Sequence, residues 1–158
     1  MSIVIACGLD IAGDRRVMVE DGAFIEGPPK IALIDDGIAA GIVGDVHATL
    51  AVFDELDPAI TTSCTALSRW ARRVHREYDL GDAVWEILIL HAPSRGGVIT
   101  VDHQGAAIRH ECGYAAIGAT SHGLVAVRAC MDAYSAVLAV CAHVDTCGGE
   151  IDCLSLIE

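Results

Sequence analysis

The chain has 158 residues, of which 53% are hydrophobic and 20% charged, and a formal net charge of −12. This length and apolar content are enough for a packed core without covalent or metal staples, and they exclude a disordered tail or a coiled coil. The acidity argues against binding nucleic acid or an anionic membrane by bulk electrostatics.

Aromatic residues are 4% and glycines number 16, so the core must be built from Ala, Val, Ile and Leu. Seven cysteines occur with no CxxC pair, as expected of reduced thiols that pack as small apolar residues in a cytoplasmic protein. No apolar run reaches the roughly 18 residues that span a bilayer. Asp10 and Asp14 interrupt the apolar start, which lacks the basic region of a secretory signal.

Along the chain, residues 3–6 and 9–12 read as strands around a turn at Gly8. Residues 17–19 and 23–25 flank Asp21-Gly22, and residues 30–34 and 38–43 flank Asp35-Asp36-Gly37, which gives two hairpins. Val46, Leu50, Phe53 and Leu56 then recur at helical spacing after Asp45, a possible cap, and Asp57-Pro58 ends that helix. Residues 61–79 form a second helix, with Leu67, Trp70, Val74 and Tyr78 on one face and Arg69, Arg72, Arg73 and Arg76 on or beside the other. The arginines fit either a solvated face or an acidic neighbour.

Strands resume at 84–90, 98–101, 106–109 and 115–118. Residues 121–131 and 133–144 are helices so apolar that each needs cover on more than one side, and residues 151–157 form a last strand. Mostly antiparallel strands with helices in pairs predict an α+β fold, two stacked sheets between two helical layers. With no linker or repeat, residues 1–158 read as a single domain.

Seven histidines raise the question of a metal, but His143 and Cys147 stand four apart, His110 and Cys112 two apart, and two ligands do not complete a zinc site. Gly96-Gly97 and Gly148-Gly149 lack a following GK[ST] and read as turns. No metal or cofactor is expected. No GxSxG elbow is present.

Ser2 follows the initiator Met1, and Ser is small enough for Met1 to be removed. That removal would leave a hydroxyl and a free α-amine on one residue. An amine titrating near ~7.7–8 is available as a base at physiological pH. Nine of the ten basic residues are Arg, and Lys30 is the only lysine.

Asp14-Arg15-Arg16, then Lys30 through Gly37 and on to Gly44-Asp45, resembles the first half of proteasome β-type subunits and their bacterial heat-shock-locus relative. The steps of sixteen from Asp14 to Lys30 and fourteen from Lys30 to Gly44 match that family's pattern. Tyr114 through Ser121 resembles its "AIGSGS" turn into a helix, and Asp145 through Asp152 its closing Asp–Ser–Gly-Gly segment. The first hairpin is shorter than the family's, Ser2 stands where Thr is usual, and Ala119 and Cys147 stand where the family has Ser.

The resemblance implies the four-layer αββα sandwich of N-terminal nucleophile hydrolases. Ser2 would be the nucleophile, Lys30 the ammonium beside it, Asp14 the partner of Lys30, and Gly44 N–H the oxyanion donor. Ser121 and Asp145 would partner the amine. It further implies a homo-oligomeric ring or stacked rings, a polypeptide substrate and an ATPase unfoldase as partner. Two readings follow: a self-compartmentalising peptidase or amidase acting through an acyl-enzyme, or a catalytically inactive ring-forming homologue.

Overall fold

The computed structural model describes residues 2–19, 22–92, 94, 97–129 and 132–157. Of the sequence readings, those on Met1, Asp21, Gly96 and Met131 fall outside the described residues.

Among the described residues, eleven strands and four α-helices run in the order β1 (Ile3–Cys7), β2 (Asp10–Asp14), β3 (Arg16–Met18), β4 (Phe24–Glu26), β5 (Ile31–Asp35), β6 (Ile38–Gly44), α1 (Val46–Asp54), α2 (Cys64–Glu77), β7 (Trp85–His91), β8 (Val98–Asp102), β9 (Ala107–His110), β10 (Tyr114–Gly118), α3 (Thr120–Ala129), α4 (Ala133–His143) and β11 (Ile151–Ser155). One sheet has the order β10-β1-β2-β11 and a second the order β5-β6-β7-β8-β9; β3 and β4 pair as a separate ribbon. All pairings are antiparallel.

The period of two along each strand sorts side chains into layers. Ile3 and Ile5 of β1 face α3 and α4 with Ala126, Val127, Ala136 and Val137, while Val4 and Ala6 face the other sheet. Ile87 and Ile89 of β7 meet Leu67, Trp70 and Val74 of α2, and Leu88 and Leu90 point between the sheets. Three apolar clusters therefore stack in order, helix on sheet, sheet on sheet, sheet on helix. This is the expected αββα sandwich.

The helix starts follow capping chemistry. Asp45 accepts from the N–H groups of His47 and Ala48, Ser63 from Ala66 and Asp132 from Ser135. The helix expected over residues 61–79 is shorter than that. Ser63 caps it, and Thr61 is drawn instead into a buried contact with His91. Tyr78 leaves the expected apolar face and donates to Glu55.

α1 departs further. Its buried residues are Ala48 and Val52, whereas Val46 and Leu50 of the expected apolar stripe are exposed. Of the α2 arginines, Arg73 pairs with Glu77 and Glu55, and Arg72 donates to Ser68 and Gln104. Among the described residues no helix is long and apolar enough to cross a membrane.

Candidate active site

The site forms where β1, β2 and the start of β5 converge. Asp14 ends β2 and is fully buried. Its Oδ1 accepts from Ile3 N–H and Lys30 Nζ, each at 2.9 Å, and its Oδ2 accepts from Gly148 N–H at 2.9 Å. Three donors around one carboxylate offset the cost of burying it. The carboxylate thus ties the first strand, the only lysine and the Gly148-Gly149 turn to one point.

Lys30 follows Pro28-Pro29, which end the ribbon segment and deliver the chain into β5. Its side chain is 11% exposed, and its ammonium also donates to the Arg16 carbonyl at 2.7 Å. Burial holds it below the usual lysine range, against the pull of Asp14. Ser2, half-buried at the head of β1, points its hydroxyl at the same Arg16 carbonyl at 3.5 Å. One backbone oxygen therefore stands next to both the hydroxyl and the ammonium. Arg16 itself is held by the turn beyond α4: its N–H donates to Gly148 O and its Nη1 to Asp145 O.

Two glycines shape the surroundings. Gly44 closes β6 at φ 137°, where a Cβ would overlap the Val84 carbonyl and Trp85. Gly118 closes β10 at φ 81°, where a Cβ would overlap the Ser2 carbonyl oxygen. The next residue, Ala119, donates its N–H to that oxygen at 2.9 Å.

Ser2, Lys30, Gly44 and Gly118 share the wall of a cavity of about 740 Å³. Val46, Leu50 and Phe53 of α1 line it together with Met18, Pro28 and Trp85. Three residues of the apolar stripe thus face the cavity, while the fourth, Leu56, is buried in the core. Neighbouring small residues, Ala48 and Val52, bring the helix onto the sheet.

Of the residues singled out from sequence, Ser2, Asp14, Lys30 and Gly44 come together. Ser121 and Asp145 are exposed, and neither lines this cavity. The Ser121 hydroxyl lies 3.5 Å from His122 Nδ1, beside a separate hollow of about 510 Å³ between α3 and α4. Asp145 contributes its backbone oxygen to Arg16. Cys147, in the place of the family serine, is buried, which pushes its thiol up to about 11.

Sequence reasoning passed over Glu86, which lines the cavity and accepts Gly118 N–H at 3.2 Å. The available signal was an acidic residue alone in an apolar strand, WEILILH.

No protein-family model and no curated protein sequence matches the chain. Solved structures do share its fold. BPH from Thiobacillus denitrificans in complex with epoxomicin superposes with a TM-score of 0.77 at 19% identity, over 100% of both chains. Eukaryotic HslV from Trypanosoma brucei gives 0.67 at 19%, covering 97% of this chain and 99% of that one. Anbu from Pseudomonas aeruginosa, solved as a helical assembly, gives 0.70 at 14%, covering 97% and 80%. The fold is that of the proteasome-like N-terminal nucleophile hydrolases.

Proposed function

We propose that the chain is a peptidase whose nucleophile is the Ser2 hydroxyl, acting once loss of Met1 has freed the Ser2 amine. One observation carries the reading. The half-buried Lys30 ammonium, anchored on Asp14, meets the Ser2 hydroxyl at a shared carbonyl on the wall of a cavity large enough for a side chain.

The neutral amine takes the hydroxyl proton, directly or through one water, as Oγ forms a bond to the substrate amide carbon. The carbonyl electron pair moves onto oxygen, and Gly44 N–H donates to it. Collapse breaks the C–N bond, and the leaving amine takes the proton from the Ser2 ammonium. Water then adds to the acyl ester in a second round of the same steps and regenerates the hydroxyl. Lys30 stays positive throughout, favouring the neutral amine and a more acidic hydroxyl. The apolar wall of Val46, Leu50 and Phe53 fits a large apolar side chain next to the scissile bond.

Polypeptide is the proposed substrate, and a homo-oligomeric ring or stacked rings served by an ATPase unfoldase the proposed setting. The likeness to an Anbu chain solved in a helical assembly supports self-association, and the ring, substrate and unfoldase rest on the family resemblance. Seven cysteines without a CxxC pair fit a reducing cytoplasm.

The exposed positions of Ser121 and Asp145 favour a second reading, a ring subunit without catalysis. Turnover of a peptide amide bearing an apolar residue before a fluorogenic leaving group separates the two. The peptidase reading predicts hydrolysis that Ser2→Ala abolishes. Lys30→Arg, folded but with a broad guanidinium in place of a compact ammonium, loses about 10²–10³-fold in kcat. No hydrolysis by the wild type, or an active Ser2→Ala variant, refutes it.

A further inference from the structure

Ser2 is aimed by two constraints. Its hydroxyl meets the Arg16 carbonyl, and its own carbonyl is gripped by the turn between β10 and α3 through Ala119 N–H at 2.9 Å. The grip is close, because Gly118 packs against the Ser2 carbonyl with no room for a Cβ. The position of that turn therefore sets the position of the nucleophile. What fixes the turn from the opposite sheet is Glu86, whose Oε2 accepts Gly118 N–H at 3.2 Å. Glu86 stands in β7 opposite Val43, one residue from Trp85, which pairs with Gly44. The other acidic residue on the cavity wall, Asp45, already caps α1.

Glu86 thus links the strand pair carrying the oxyanion glycine to the turn carrying the serine. We propose, resting on the peptidase reading above, that Glu86 is a positioning residue. Through Gly118 N–H it holds the β10–α3 turn, and through Ala119 N–H the turn holds Ser2, so that hydroxyl and Gly44 N–H keep a fixed spacing. A charged acceptor suits this role because its hydrogen bond is stronger than a neutral one. A nucleophile displaced by a fraction of an ångström loses rate, while an apolar pocket several residues away still binds.

The test combines kinetics with amide exchange on the full-length protein. Glu86→Ala is expected to lower kcat about tenfold to hundredfold with KM within about twofold. Glu86→Gln, whose amide oxygen still accepts the Gly118 N–H, recovers most of that loss. Exchange of the Gly118 and Ala119 amides is expected to quicken in Glu86→Ala and to return toward wild type in Glu86→Gln.

Wild-type kcat in Glu86→Ala overturns the assignment, as does an equal loss in both variants. A wild type without turnover refutes the peptidase reading instead. In that case unchanged exchange at Ala119 in Glu86→Ala also removes the link from Glu86 to Ser2.

Discussion

Asp14 and Lys30 are each costly to bury alone and are stable only together. Asp14 has no solvent exposure and gathers Ile3 N–H, Gly148 N–H and the Lys30 ammonium. Asp14→Ala would leave an unpaired buried cation and two backbone donors without an acceptor. A loss of about 3–5 kcal/mol is expected in urea denaturation, and a loss under 1 kcal/mol would contradict the anchoring role. Burial depresses the Lys30 titration below the ordinary lysine value of 10.5, and Asp14 opposes it. The unfolded chain therefore holds this proton more tightly than the folded one, and this residue's contribution to stability rises as pH climbs toward 10.5. As the only lysine, it gives one side-chain ammonium signal in a ¹⁵N-lysine spectrum. Its midpoint should lie below 10.5 when folded, return to the ordinary value in urea, and fall further in Asp14→Asn, because the charge that raises it has gone. A higher midpoint in Asp14→Asn would reverse the assigned electrostatics.

At the scale of elements, α1 separates core from site. Leu50 is 54% exposed and faces the cavity, while Leu67 of α2 is fully buried among β7 and β8 side chains. Leu67→Ala is expected to cost about 2–5 kcal/mol. Leu50→Lys should change stability by less than about 0.5 kcal/mol yet shift the preferred residue before the cleaved bond away from large apolar ones. Unaltered preference in a peptide-library digest would remove α1 from the specificity wall. The same helix marks the limit of what the sequence reveals. Hydropathy spacing identifies a helix at Val46, Leu50 and Phe53, but apolar residues facing a substrate read the same as those facing a core. The strands were legible because β-branched runs and the Asp-Gly turns define them locally. Asp14, Lys30 and Gly44 were legible through the resemblance to proteasome β-type subunits, and successive hairpins between them explain why that spacing translates into one place in space. Ser121, Asp145 and Glu86 lie far along the chain from those hairpins, on elements that reach the site through long-range strand pairing and packing. No spacing encodes that Glu86 reaches Gly118, or that Ser121 turns toward His122 and the hollow between α3 and α4.

For the whole molecule, the helical layer of α3 and α4 carries Val125, Tyr134 and Leu138 exposed at 68%, 44% and 52%. The sequence reading that these helices need cover on more than one side is met on the sheet side, and the proposed assembly supplies the other. Leu138→Glu is expected to lower the mass of the native particle in native mass spectrometry while leaving circular dichroism unchanged. A wild type that is monomeric at micromolar concentration would contradict a ring. Fold and cavity stand whatever the chemistry, so the central claim is that Ser2 presents a hydroxyl and a free amine together. An α,β-epoxyketone peptide reads both at once, because the hydroxyl adds to the ketone and the amine opens the epoxide, closing a six-membered ring. Mass spectrometry of the treated protein should show a chain lacking Met1 with one adduct mapped to Ser2, and none in Ser2→Ala. A chain that keeps Met1 and carries no adduct would contradict the account.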